Sequence, residues 1–148
     1  MAALDTNILV RYLIQDNVRQ GFKARELVNG VLTRGESLFI PITVLLELEW
    51  VLRSSFECPK DQIILTISSL LAAKELVFES EASAEIALEL FRQNKADFAD
   101  CIHIALTHAA GECPIWTFDK AASRVDGARL IKAERASSAQ APAMRLAL

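Results

Sequence analysis

The sequence predicts an α/β fold with a mainly parallel central sheet, and three observations lead to this prediction. Short apolar runs alternate along the chain with longer segments of helical periodicity. The apolar runs lack polar alternation, which is typical of strands that are covered on both faces. Strands that alternate with helices indicate βαβ crossovers and therefore parallel pairing. We expect a three-layer α/β/α arrangement around a sheet of four to five strands.

The individual elements follow in order from these patterns. The apolar runs predict strands at residues 2–5, 38–41, 76–79, 114–119 and 128–132. Helical periodicity predicts helices at residues 7–15, 18–33, 43–54, 61–73, 80 or 83 to 94, and 98–110, with a helical turn at 120–125. Thr43 is expected to cap its helix, whereas Gly35 and Gly111 are expected to end theirs. We predict one domain over residues 1–132 and a poorly ordered tail over residues 133–148.

The composition is that of an ordinary globular chain. The 148 residues are 52% hydrophobic and 24% charged, with a net charge of −3. This balance indicates an ordered chain and argues against a protein that coats nucleic acid through a basic surface. The richest apolar segment, residues 38–52, is too short and too charged to span a bilayer, so we expect a cytoplasmic protein without membrane contact.

The cysteines and histidines do not predict a zinc site. The three cysteines have no CxxC spacing, which indicates reduced thiols. A site built from Cys101, His103, His108 and Cys113 is disfavoured, because Cys101 and His103 point to different sides of the predicted helix.

Four acids are the candidate functional residues: Asp5, Glu47, Asp100 and Asp119. Asp5 and Asp119 each end a predicted strand, and open α/β sheets form their ligand sites at the carboxyl ends of strands. Burying carboxylates is costly unless a positive charge compensates them. No cationic motif matches these acids, so a metal ion is the expected compensation. Hard oxygen ligands of this kind favour Mg²⁺ or Mn²⁺.

Helix geometry distinguishes these acids from their acidic neighbours. Glu49 precedes Arg53 by four residues, which is the favourable order for an exposed pair, and it is predicted to be solvated. Glu47 lies on the opposite flank among apolar neighbours and is the candidate ligand. Asp97 and Asp100 project from one side of a helix start. Asp97 is either the cap of that helix or an outer metal ligand, and Asp100 is the stronger candidate for a direct role.

The segments that contain these acids resemble the motifs of PIN-domain ribonucleases, in particular the VapC toxins of prokaryotic VapBC toxin–antitoxin pairs. The resemblance is carried by residues 4–9, 46–48, 97–102 and 117–120, in the order of the family, and it covers residues 1–132. It implies a PIN-like fold with an acidic pocket for one or two Mg²⁺ or Mn²⁺ ions. It also implies that Asp5, Glu47, Asp100 and Asp119 are the catalytic acids. Asp97 matches an additional acid of the subgroup and joins Asp5, Asp100 and Asp119 as a metal ligand.

The resemblance also implies supporting residues and partners. Asn7 and Thr117 match the polar residues that hold the carboxylates in place. Arg11 and Lys120 lie close to the acids in sequence and are candidates for binding the substrate. The expected function is that of a Mg²⁺- or Mn²⁺-dependent endoribonuclease, the toxin of a type II toxin–antitoxin system. Its expected partners are an RNA substrate, a VapB-like antitoxin and a second copy of the chain in a homodimer.

Three other functions are possible. A catalytically inactive PIN-fold module could bind RNA or act as a scaffold, although such modules usually lose the acids that this chain retains. A phosphotransfer enzyme of the haloacid-dehalogenase type requires a DxD motif, and the third position here is Asn7. A DNA nuclease of the flap type would need more acids and long insertions, for which this chain has no room.

Overall fold

The computed structural model of the protein describes residues 1–132, which form five short strands and seven helices. The strands are β1 (Ala2–Ala3), β2 (Leu38–Ile40), β3 (Leu76–Phe78), β4 (Ile115–Thr117) and β5 (Ala128–Leu130). The helices are α1 (Thr6–Leu13), α2 (Val18–Thr33), α3 (Ile42–Ser54), α4 (Lys60–Ala72), α5 (Glu81–Gln93), α6 (Phe98–Ala109) and α7 (Lys120–Ser123). The predicted alternation of strands and helices is confirmed. The predicted tail, residues 133–148, lies outside the described residues.

The described strands pair in parallel, as predicted, but they form two hydrogen-bonded ladders instead of one continuous sheet. The first ladder has the order β1-β2-β3, and the second joins β4 to β5. Asp5 and Asp119 each follow one of these strands, but the two strands belong to different ladders. Within residues 1–132, β1 is paired with β2 and has no hydrogen-bonded pairing with β4. Leu4 continues the ladder between β1 and β2, because its amide donates to the carbonyl of Phe39 at 3.0 Å.

The hydrophobic core fixes the two helices that carry most of the candidate acids. Both α3 and α6 bury one side at helical spacing and pack against each other. The buried residues of these two helices include Leu45, Leu48, Leu52, Phe98, Ile102 and Ala105. Because α3 and α6 share this core, the acids on their remaining faces are held at defined positions relative to each other.

The glycines predicted to end helices do so, but the predicted cap of α3 was wrong. Gly35 and Gly111 follow α2 and α6 with φ angles of +68° and +74°, a conformation that glycine adopts without steric cost. Thr43 was predicted to cap α3, but Pro41 occupies the N-cap position and Thr43 is exposed inside the first turn. Among the helices of residues 1–132, none combines the length and the hydrophobicity needed to cross a membrane.

Candidate active site

Asp5 lies between β1 and α1 and is the N-cap of that helix. Its Oδ1 atom accepts a hydrogen bond of 3.0 Å from the amide of Ile8, and its side chain is exposed. A carboxylate at this position satisfies a helix amide and interacts favourably with the helix dipole. The cap therefore fixes the carboxylate through Oδ1, while Oδ2 takes no part in it.

Glu47 is brought to Asp5 by a hydrogen bond between two helices. The buried hydroxyl of Thr6, in the first turn of α1, donates to Oε2 of Glu47 on α3. Asp5, Asn7 and Glu47 line one cavity of about 300 Å³. Thr6 was not among the residues predicted for the site. The only indication in the sequence is that its hydroxyl lies between two candidate residues at the start of a helix. Asn7, predicted to support the acids, is exposed on the wall of this cavity.

The predicted environment of Glu49 on α3 was wrong, whereas Glu47 does lie beside apolar side chains, as predicted. Glu49 was expected to be solvated, but its side chain is only 4% exposed. Arg53 donates from Nε to both of its oxygens, at 3.0 and 3.3 Å. Glu47 is exposed. The reason for the burial of Glu49 is the spacing on α3: this residue is four residues after Leu45 and three before Leu52, so it shares their buried stripe.

The acids at the start of α6 form the second part of the site. Asp97 occupies the N-cap position of α6, yet its side chain accepts no capping hydrogen bond within the described structure. Asp100 is half-buried in the first turn of the helix. Burial raises the pKa of the Asp100 carboxyl, and the neighbouring carboxylates of Asp119 and Asp97 raise it further, while His103 opposes the shift. Asp97 and Asp119 therefore each lie within electrostatic reach of Asp100.

Asp119 follows β4 and caps the short helix α7. Its Oδ1 atom accepts a hydrogen bond of 2.7 Å from the amide of Ala122. Thr117 was predicted to support the site, and its hydroxyl accepts a 3.0 Å hydrogen bond from the amide of Asp119. Thr117 thus holds the backbone of Asp119 and does not contact its carboxylate through this bond.

The two groups of acids are connected through Glu47. This residue shares one cavity with Asp5 and a second cavity, of about 410 Å³, with Asp97. Asp97 in turn lies within electrostatic reach of Asp100, as does Asp119. Shared cavities and electrostatic coupling to Asp100 thus link these acids in pairs, and we call the surface between the starts of α1, α6 and α7 and the exposed face of α3 the acidic region.

The donor atoms of this region are of the kind that bind hard divalent cations. Carboxylate oxygens that repel each other in a partly buried region are suitable ligands for Mg²⁺ or Mn²⁺. Within residues 1–132, no group of three or more His, Cys, Asp or Glu side chains is close enough to hold one metal ion. Mg²⁺ keeps several of its water ligands in proteins, so a site with few direct protein ligands remains chemically consistent.

The two cations predicted to bind substrate differ in their environments. Arg11 is half-buried and engaged, because it donates to Asp16 at 2.6 Å and to Gln20 at 2.7 Å. Lys120 is exposed at the start of α7, next to Asp119. Sequence reasoning did not select Arg53, although it lines the cavity shared by Glu47 and Asp97.

Comparison with known proteins agrees with the resemblance at the level of the domain. The PIN domain model matches residues 2–128, a span that includes every candidate acid. No curated protein matches the chain. Because the match covers most of the 148 residues, the family is established, and the α/β architecture is that of a PIN-like fold with a parallel sheet. The chain belongs to the PIN-domain family, whose members are generally nucleases that use divalent metal ions to act on RNA.

Proposed function

We propose that the protein is a Mg²⁺- or Mn²⁺-dependent endoribonuclease that hydrolyses RNA phosphodiester bonds in the acidic region. In this proposal Asp5, Glu47, Asp100 and Asp119 are the catalytic acids, and Asp97 joins Asp5, Asp100 and Asp119 in holding metal. The observation that carries it is the position of Glu47, which shares cavities with Asp5 on one side and Asp97 on the other. Membership in a family of nucleases supports the same reaction class.

In this proposal, some residues fix the positions of the carboxylates and one residue accepts a proton. Asp5 and Asp119 are oriented by amide hydrogen bonds at helix starts. Glu47 is oriented by Thr6 and is the carboxylate that accepts a proton from the attacking water. Asp97 and Asp119 supply further negative charge next to Asp100. A divalent ion held by these residues would supply Lewis-acid activation of water and neutralise charge on the scissile phosphate.

The proposal extends to the role of a VapC-like toxin in a type II toxin–antitoxin system. The support for it is the presence of four family-like segments in the family's order within one domain. The proposed partners are a VapB-like antitoxin and a second copy of the chain. An antitoxin arginine paired with the carboxylates would block the site through charge-assisted hydrogen bonds. Lys120 is the better candidate for substrate binding, because the guanidinium of Arg11 is already engaged with Asp16 and Gln20.

The test is cleavage of total cellular RNA by the purified protein in Mg²⁺ or Mn²⁺, with EDTA as the metal-free control. The variants are Asp5→Asn and Asp100→Asn, and the matched control is Asp61→Asn, an exposed carboxylate in the first turn of α4. We expect discrete products that disappear in EDTA and fall at least about 100-fold in both site variants, while Asp61→Asn stays active. Cleavage that persists in both site variants would refute the assignment of the acids.

The toxin role has its own test. Expression of the chain in a host cell should arrest growth, and the Asp5→Asn variant should not. Co-expression of the product of the adjacent reading frame should relieve the arrest. Growth arrest that the Asp5→Asn variant causes equally would show that RNA cleavage at this site is not the origin of toxicity.

A second candidate function is a catalytically inactive PIN module that binds RNA or acts as a scaffold. It is favoured by one observation: no three potential ligands within residues 1–132 are close enough to hold one metal ion. Calorimetric titration with Mn²⁺ separates the two functions. The nuclease is expected to bind Mn²⁺ at a site that Asp100→Asn weakens, whereas a scaffold need not bind the ion at all.

A further inference from the structure

The cavity of about 410 Å³ beside the acidic region contains groups that the proposed catalysis does not use. It lies between the exposed face of α3 and the start of α6. Its lining combines an aromatic ring, a guanidinium group and three carboxylates, from Trp50, Arg53, Glu47, Glu49 and Asp97. Its volume falls within the range of about 300–1,000 Å³ that is typical of small-ligand sites.

Trp50 is the most unusual member of this lining. Its side chain is 56% exposed, although a large aromatic surface is normally buried in a core or an interface. The same residue also lines the neighbouring cavity that contains Asp5 and Glu47. The indole therefore borders both halves of the acidic region, at a point where a nucleic acid strand bound for cleavage would pass. Exposed aromatic rings beside such sites act as platforms on which unpaired bases stack.

Arg53 is held in place before any ligand arrives. Its Nε atom donates to Glu49, whose carboxylate is almost completely buried, while the arginine side chain itself is 52% exposed. Because the Glu49 contacts use Nε, the terminal nitrogens of the guanidinium retain N–H donors for a further acceptor. A guanidinium oriented in this way is suited to a phosphate group, since less side-chain entropy is lost when the ligand binds.

We propose that Trp50 and Arg53 form a nucleotide subsite next to the acidic region, in which the indole of Trp50 stacks on one unpaired base of RNA and Arg53 binds an adjacent phosphate. This inference rests on the proposed function in one respect: the strand held there is the strand that the acids cleave. The site selects unpaired nucleotides, because the bases of a duplex are already stacked and cannot present a face to the indole.

Direct binding tests the subsite without requiring catalysis. The probe is a fluorescein-labelled single-stranded oligoribonucleotide of about eight nucleotides, titrated with full-length Asp5→Asn protein in Mg²⁺ and followed by fluorescence anisotropy. In this background, Trp50→Leu should raise Kd by about 5- to 150-fold, and Trp50→Phe should recover most of the loss. The matched control is Trp116→Leu, since Trp116 is 55% exposed but stacks with Arg129. That control should leave Kd within about twofold of its parent.

Arg53 requires a variant that does not leave the buried carboxylate unpaired. The double substitution Glu49→Gln with Arg53→Gln removes both charges together. It should weaken binding and lower the slope of log Kd against log salt concentration by about 0.7, the value for one phosphate contact on a single strand. A salt slope that stays unchanged in the double variant would refute the phosphate contact. The same oligonucleotide annealed to its complement should bind weakly and should not respond to Trp50→Leu.

The outcomes separate this inference from the proposed function. If the protein with all its acids cleaves no RNA but Trp50→Leu weakens binding, the subsite is supported and the nuclease proposal fails. If RNA is cleaved and Trp50→Leu changes neither Kd nor KM, the subsite is refuted and the nuclease proposal stands. Sedimentation of the same variants tests the alternative that a second copy of the chain binds to this face. Dissociation of a dimer by Trp50→Leu without a change in Kd would assign this face to self-association and overturn the inference.

Discussion

The ion pair between Glu49 and Arg53 predicts a stability change that depends on burial. Arg53→Gln removes the guanidinium that donates to Glu49 at 3.0 and 3.3 Å, and it leaves a carboxylate with 4% exposure without its cation. Breaking a fully buried pair costs about 3–5 kcal/mol, and breaking an exposed pair costs about 0.2–1 kcal/mol. Arg53 is half-exposed, so water reaches one end of the pair. We expect Arg53→Gln to destabilise the fold by about 2 kcal/mol, between these limits.

Equilibrium unfolding in urea at pH 7, followed by far-ultraviolet circular dichroism, measures this change. The chain offers a closely matched control in the pair between Arg92 and Glu89 on α5. Arg92 is 51% exposed, like Arg53, but its partner Glu89 is 49% exposed. Arg92→Gln should therefore change the free energy of unfolding by less than about 0.5 kcal/mol.

A double substitution tests the physical reason for the effect. If the cost of Arg53→Gln comes from an unpaired buried charge, adding Glu49→Gln should recover at least about 1 kcal/mol, because a neutral amide is less costly to bury than a carboxylate. The reasoning would be refuted if Arg53→Gln and Arg92→Gln had equal effects. It would also be refuted if the double variant were less stable than Arg53→Gln alone.

Two further predictions concern the acidic region. Thr6→Val removes the hydroxyl that orients Glu47 while keeping the shape of the side chain. The kcat of RNA cleavage should fall at least about 10-fold, and Thr6→Ser should restore it. Burial and the carboxylates of Asp119 and Asp97 raise the pKa of Asp100 in the folded protein, so ionised Asp100 destabilises the metal-free fold at neutral pH. Asp100→Asn should accordingly raise Tm in EDTA at pH 7, and the difference should vanish as the pH falls through the folded pKa to the unfolded value of 3.8. An equal Tm for both proteins at pH 7 in EDTA would contradict this.

The helices were predictable from the sequence because each has a buried stripe with a clear period. The segment 18–33 was predicted with the bounds that α2 has in the structure, and Gly35 identified its end. The strands were located correctly but not their grouping into two ladders. The strands that pair, such as β1 and β2, are separated along the chain by helices. Apolar runs indicate where strands occur, but they contain no direct information about which strands lie side by side.

The candidate acids were predictable as residues, but their surroundings were only partly so. Asp5 and Asp119 follow apolar runs, and both act as helix caps in the structure. Glu49 was misjudged because an i, i+4 pair with Arg53 looks the same in sequence whether its carboxylate is buried or solvated. Counting its distance from Leu45 and Leu52 would have indicated burial. Thr6 was missed because its partner is 41 residues away, and only the packing of α1 against α3 brings the two together.

In this site, hydrogen bonds fix the positions of the carboxylates but do not neutralise their charges. Position is provided by local hydrogen bonds, since Asp5 and Asp119 each receive a helix amide and Glu47 receives the hydroxyl of Thr6. These bonds hold carboxylates near each other without neutralising them. Part of the remaining repulsion is visible at Asp100, whose pKa is raised first by burial and then by its acidic neighbours. A divalent cation that enters this region would gain electrostatic energy without reorganising the backbone, and metal binding should stabilise the fold by an amount that rises with the logarithm of the metal concentration above Kd. If Mg²⁺ and Mn²⁺ left Tm unchanged at millimolar concentrations, the acids would have to be reassigned to a role other than metal binding.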